Sequence, residues 1–108
     1  MAVSMVQFAY TPETVAKLAK NPEDRSKAVG ALLEKLGGRL VAYYYTFGEY
    51  DGFVIAEMPD QVSGLAASIV SYLGGGVTKL KTTVLFPVDE AMQAMKKAQS
   101  LTLAQPKG

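Results

Sequence analysis

The sequence predicts an α+β domain, a four-stranded antiparallel sheet with its helices on one side. Three observations predict it. Short runs rich in β-branched and aromatic residues alternate with segments of helical periodicity, in the order strand, helix, strand, strand, helix, strand, helix. Capping residues and glycine clusters punctuate the boundaries. With 108 residues, 49% of them hydrophobic, the chain can build one core but not two.

Each element follows from local chemistry. Val3 to Tyr10 is a β-branched and aromatic run, hence the first strand. Thr11-Pro12-Glu13 then supplies an N-cap, a proline at the first helical position and an acid in the first turn. Asn21-Pro22-Glu23-Asp24 repeats that signal, so the helical region should come in two pieces. In the second piece Val29, Leu32, Leu33 and Leu36 form a stripe for packing on a sheet, and Gly37-Gly38 ends it.

Arg39 to Phe47 and Phe53 to Met58 read as two strands joined through Gly48–Asp51, most simply a hairpin. Asp60 is placed to cap a helix whose expected packing face is Val62, Leu65, Ala66, Ile69 and Leu73, stopped by Gly74-Gly75-Gly76. Val77 to Phe86 is the last strand. Asp89 starts an amphipathic segment with Ala91, Ala94, Met95 and Ala98 on one side. Residues 1–101 are expected to form the domain and 102–108 a loose tail. Helix, two strands, helix and strand following a first strand is the ferredoxin-like arrangement.

Composition excludes several chemistries. The chain has no Cys and no His, so thiol nucleophiles, disulfides, thiolate metal sites and imidazole acid–base work are all absent. Acid–base chemistry would fall to Asp, Glu, Lys or Tyr. No metal and no cofactor is expected. A formal charge of +1 gives no electrostatic footprint for nucleic acid or an anionic membrane. No apolar run approaches the roughly 20 residues that span a bilayer, and no charged region precedes the first apolar residues. A cytoplasmic protein is therefore expected.

The second strand is apolar on both parities: Leu40, Ala42 and Tyr44 alternate with Val41, Tyr43, Tyr45 and Phe47. A sheet with one wet face would carry polar residues on one parity. Self-association covering the open face explains the pattern, so the expected partner is a second copy of the chain, as a homodimer or larger oligomer.

Gly48-Glu49-Tyr50-Asp51, an apolar strand and then Glu57-Met58-Pro59-Asp60 resemble the GYD-domain family, small bacterial proteins named for this glycine–tyrosine–aspartate element. Lys35 to Leu40, the aromatic approach Tyr43 to Phe47 and the terminal segment Glu90 to Ala98 are similar to the family's pattern as well. The resemblance implies a dimeric α+β barrel, two ferredoxin-like sheets face to face, and no agreed activity. Gly52 departs from it, standing where such sequences commonly place a bulky apolar residue. Glycine there permits a bulge or a close approach. A looser resemblance, through Gly48–Asp51, Gly76-Val77-Thr78 and Thr82 to Leu85, is to the effector-binding domain of leucine-responsive-type regulators, which bind amino acids near the equivalent turn.

The candidate ligand-binding residues are Gly48, Glu49, Tyr50, Asp51, Tyr43 and Tyr45; no catalytic residue is assigned. Glu49, Tyr50 and Asp51 offer two carboxylates and an aromatic wall at a turn, although turn chemistry alone also explains Asp51. Successive residues of Tyr43-Tyr44-Tyr45 must point to opposite faces, so two share a side. Packing explains them; a cavity wall with a phenol donor is the sharper alternative. Lys79 and Lys81 share one parity and either protect an exposed strand or pair with Glu57 or Asp51. Asp60, Asp89 and Glu90 read as helix-start residues. The functional expectation is a homo-oligomeric small-molecule-binding module. The alternative is a cofactor-independent oxygenase- or isomerase-like enzyme of the dimeric α+β barrel type.

Overall fold

The computed structural model describes residues 2–107; Met1 and Gly108, the outer limits of the expected domain and tail, lie outside the described residues. Four strands, β1 (Ala2–Tyr10), β2 (Arg39–Tyr45), β3 (Gly52–Met58) and β4 (Val77–Leu85), form one sheet in the order β2-β3-β1-β4, antiparallel throughout. The helices are α1 (Pro12–Lys20), α2 (Arg25–Lys35), α3 (Gln61–Leu73) and α4 (Val88–Ala98). This is the ferredoxin-like α+β fold with α4 appended.

Local chemistry places the boundaries where expected. The hydroxyl of Thr11 accepts the Thr14 amide at 3.1 Å, Asp24 accepts the Ser26 amide at 3.0 Å and Asp60 accepts the Ser63 amide at 2.7 Å. These satisfy helix N–H groups that have no partner within the helix. The first helical region is indeed two pieces. Past the ends of α2 and α3, Gly37 (φ 82°) and Gly75 (φ 73°) take the left-handed conformation.

Cross-strand partners assign the faces. Phe8 opposes Gly52, Val6 opposes Val54, Ser4 opposes Ala56, and Tyr43 and Tyr45 oppose Val54 and Gly52. These residues share the helix side of the pleat. The core lies there: Leu33 of α2 packs with Ala56 and Met58, and Val29, Leu36, Leu40 and Ala67 close around them. Burying Leu33 in this way contributes about 1.5–3 kcal/mol.

Two expectations are corrected. Strict alternation along β2 groups Leu40 with Ala42 and Tyr44, but the register shifts between Leu40 and Ala42. Val41 is the extra residue, so Leu40 joins Tyr43 and Tyr45 on the helix side while Ala42 and Tyr44 face away. The second correction concerns α3. Its large residues Val62, Leu65, Ile69 and Leu73 are exposed, and Gly64, Ala67 and Ser71 are the partly buried face. Small residues let the helix lie close to the sheet: a Cβ at Gly64 would sit 3.8 Å from Met58 Cγ. The amide of Leu80, on edge strand β4, donates to the Tyr72 hydroxyl at 2.9 Å and fixes the helix rotation.

Candidate functional site

Parity along β2 sends Tyr43 and Tyr45 to the helix side, where Phe8 and Tyr10 of β1 meet them. The Phe8 ring lies 5.1 Å from that of Tyr10 and 5.6 Å from that of Tyr43; the Tyr43 and Tyr45 rings are 5.5 Å apart, edge to face. The hydroxyls of Tyr10 and Tyr43 share a hydrogen bond at 3.0 Å. Such tilted packing suits the ring quadrupoles.

Gly52 makes room for this cluster. Its backbone has no positive φ. Instead, a Cβ there would run into the Phe8 ring and lie 2.6 Å from the Tyr44 carbonyl oxygen. Of the two options that glycine permits there, the structure shows a close approach, by the Phe8 ring and the Tyr44 carbonyl, while the register shift of β2 lies between Leu40 and Ala42.

The connection from Thr46 to Asp51 closes with the Thr46 amide donating to the Asp51 carbonyl at 2.9 Å. The Thr46 hydroxyl donates to the Tyr50 carbonyl at 2.7 Å. Asp51 ties this turn to β1: its amide donates to the Phe8 carbonyl at 2.8 Å, and its Oδ2 accepts the Tyr10 amide at 2.7 Å. The aspartate thus satisfies a backbone donor 41 positions away rather than one in its own turn. Gly48 has open space around it and no positive φ, so neither packing nor conformation within the chain requires glycine there.

Apart from Gly48, which contacts neither, the expected site residues divide into two groups. Tyr43, Tyr45 and Asp51 gather on the helix side. A cavity of about 380 Å³ opens there between α1 and the sheet, lined by Tyr10, Tyr45, Thr46 and Asp51 on one wall and by Val15 and Leu18 on the other. An adjoining concavity of about 360 Å³ runs past Tyr43 and Tyr45 to Asp24 and Ser26. Glu49 and Tyr50 turn elsewhere: Lys79 reaches Glu49 Oε2 at 3.2 Å and stands 4.6 Å from the Tyr50 ring centroid. The partner of Lys79 is Glu49, in place of Glu57 or Asp51; Glu57 instead accepts from Arg39 at 2.6 Å.

Tyr10 is the site residue that sequence reading did not single out. Its hydroxyl completes the cluster and its amide holds Asp51, but both partners are non-local. The cluster also sets its own protonation. Burial, opposed by the hydrogen bond to Tyr43, pushes the Tyr10 phenol up to about 12. Burial, reinforced by the hydrogen bond to Tyr10, pushes the Tyr43 phenol far above the ordinary range. Both stay protonated at neutral pH, which makes them hydrogen-bond donors and poor bases.

A ferredoxin-like domain with an aromatic, hydroxyl-bearing cavity under its helices is the class that fold and geometry define. Within it, the GYD domain model matches residues 5–95, and the chain belongs to the GYD-domain family. The crystal structure of TTHA0845 from Thermus thermophilus is similar with a TM-score of 0.52 at 18% identity, covering 81% of this chain and 95% of that one. An uncharacterized NIPSNAP domain protein from Burkholderia xenovorans is similar with a TM-score of 0.49 at 15% identity, covering 81% of this chain and 94% of its own. At 18% identity the property TTHA0845 shares with this chain is the fold. Among curated proteins, none matches the chain. No helix of the described residues is long and apolar enough to cross a membrane.

Proposed function

We propose that this GYD-family protein is a self-associating small-molecule-binding module whose ligand enters the cavity between α1 and the tyrosine cluster. One observation carries the reading: Tyr10, Tyr45, Thr46 and Asp51 converge on a cavity of about 380 Å³ whose opposite wall is apolar along Val15, Leu18, Ala19 and Pro22 and ends at Glu23. That volume is within the range of small-molecule sites, and a few convergent polar groups on an apolar lining are what such sites use for orientation. Phenols held protonated suit hydrogen-bond donation to a ligand acceptor, and count against proton abstraction as the task of this site.

Self-association is supported by the opposite face of the sheet, which no helix covers. Val3, Met5, Tyr44, Phe53, Ile55 and Leu85 bring apolar side chains there, with the Tyr44 and Phe53 rings stacked at 5.5 Å. The ion pairs Arg39–Glu57 and Lys79–Glu49 stand at diagonal corners of this face, and Gln7 of β1 and Lys81 of β4 lie in the row beside Phe53.

The ligand reading is tested by thermal unfolding of the purified protein against amino acids and small aromatic metabolites. A ligand of the native state raises the midpoint as its concentration passes its dissociation constant. A Tyr45→Ala variant is expected to fold and to lose that rise. A broad panel that leaves the midpoint unmoved overturns the reading.

A further inference from the structure

The charged side chains around the cavity under α1 are of one sign. Asp51 stands on the strand wall, Glu23 ends the helix wall, and Asp24 lines the adjoining concavity past Tyr45. Among the described residues no lysine or arginine lines either space. Across the chain 11 Lys and Arg stand against 10 Asp and Glu, so this segregation is local and not a matter of composition. A cleft that combines one sign of charge with apolar walls concentrates ions of the opposite sign.

Two of the carboxylates have capacity to spare. Asp51 commits Oδ2 to the Tyr10 amide at 2.7 Å, while its Oδ1 accepts no hydrogen bond from the described residues and is not sealed in the interior. Glu23 meets Arg25 at 3.5 Å, with the two side chains 59% and 40% exposed. A pair so long and so wet holds its members weakly. Asp24 is committed to capping α2, so it adds charge to the neighbourhood without a free contact.

The rings of Tyr10, Tyr43 and Tyr45 line the same spaces. At the same turn the chain already uses this combination on a cation of its own. Lys79 Nζ lies 3.2 Å from Glu49 Oε2 and 4.6 Å from the Tyr50 ring centroid, an ammonium held by a carboxylate and a tyrosine. The cavity repeats the carboxylate and the rings, and no ammonium of the described residues lines it.

We infer that the cavity takes a small amine cation with an apolar or aromatic body, an inference that rests on the cavity being the ligand site. The ammonium is held by Asp51 Oδ1 and the face of Tyr45, with Glu23 adding a second negative charge, and the body packs on Val15, Leu18 and Pro22. Anionic ligands are disfavoured, because a carboxylate or phosphate group would meet only like charge in the lining. The same argument ranks a free α-amino acid below the amine that lacks its carboxylate.

The test titrates four ligands of similar shape into the purified protein by calorimetry at neutral pH: 2-phenylethylamine, 2-phenylethanol, phenylacetate and phenylalanine. The amine should bind about tenfold more tightly than the other three, the ratio that one charge-assisted hydrogen bond supports. Added salt should weaken the amine and leave the alcohol unchanged. Asp51→Asn, which keeps an oxygen for the Tyr10 amide, should remove most of the preference for amine over alcohol. Glu23→Lys should shift the amine-to-acid ratio toward the acid by about tenfold. Glu23 is exposed, so that variant carries the test even where Asp51→Asn does not fold. An alcohol or acid that binds as tightly as the amine, or an amine-to-acid ratio unmoved by Glu23→Lys, overturns the inference while leaving the cavity as a ligand site. Binding by none of the four overturns it as well, and the broader panel of metabolites then decides separately on the cavity.

Discussion

The two helical layers of this sheet differ in which side chains they spend on it. In the first half of the chain α2 turns its large residues inward, and Leu33 is the most buried side chain of its layer. In the second half α3 turns glycine, alanine and serine inward and presents valine, leucine and isoleucine to the outside. The same element order is thus used for two purposes: one helix completes the core, and the other rests on the core while holding out a surface. A packed helix is recognised by where its volume goes, not by how apolar it is.

The contrast can be broken most decisively by paired truncations. Leu33→Ala should destabilise the chain by about 2–5 kcal/mol through the lost transfer energy and the cavity left behind. Ile69→Ser, on the exposed ridge, should change the stability of the dissociated chain by no more than about 0.5 kcal/mol. Urea unfolding at low protein concentration measures both, and equal losses would erase the distinction between the halves.

A smaller effect sharpens it within the first half. Gly52→Val should cost about 1–3 kcal/mol, because the added atoms collide with the Phe8 ring and the Tyr44 carbonyl. Gly48→Ala, only four positions earlier, should be close to neutral because open space surrounds it. Denaturant midpoints for the pair separate a glycine needed for packing from one that the isolated chain does not need.

The smallest expected effect is a pH dependence confined to the tyrosine cluster. The Tyr10 phenol is raised from its ordinary value near 10 to about 12 in the folded state. Above pH 10 the unfolded chain therefore loses a proton that the folded chain keeps. The stabilisation is complete below pH 10 and disappears as the pH rises through about 12. Thermal midpoints across that window should fall, and Tyr10→Phe should soften the decline.

Element order, helix caps and the paired inward direction of Tyr43 and Tyr45 were legible in the sequence because each depends on neighbours a few positions away. The orientation of α3 was not. Apolar periodicity weights large side chains, whereas close contact with a sheet can select small ones. The bulge at Val41 left no trace either, since one extra apolar residue in an apolar strand changes nothing in the pattern. Of the candidate site, Asp51 was visible as a turn residue, but its true partner, the Tyr10 amide, is set by tertiary pairing. The same holds for Lys79 and Glu49, which face each other only once β4 lies beside β1.

Phe8 and Gly52 occupy a single shared volume across two neighbouring strands. That makes them a two-position fingerprint: a chain with a bulky residue at the second position has no space for a large ring at the first. Family members should therefore sort into two groups by this exchange. Those with the aromatic–glycine combination are expected to keep the tyrosine-lined cavity, and those with the reverse combination to fill it with their own strand. Covariation at positions 8 and 52 would then predict which relatives can take a ligand there before any of them is purified.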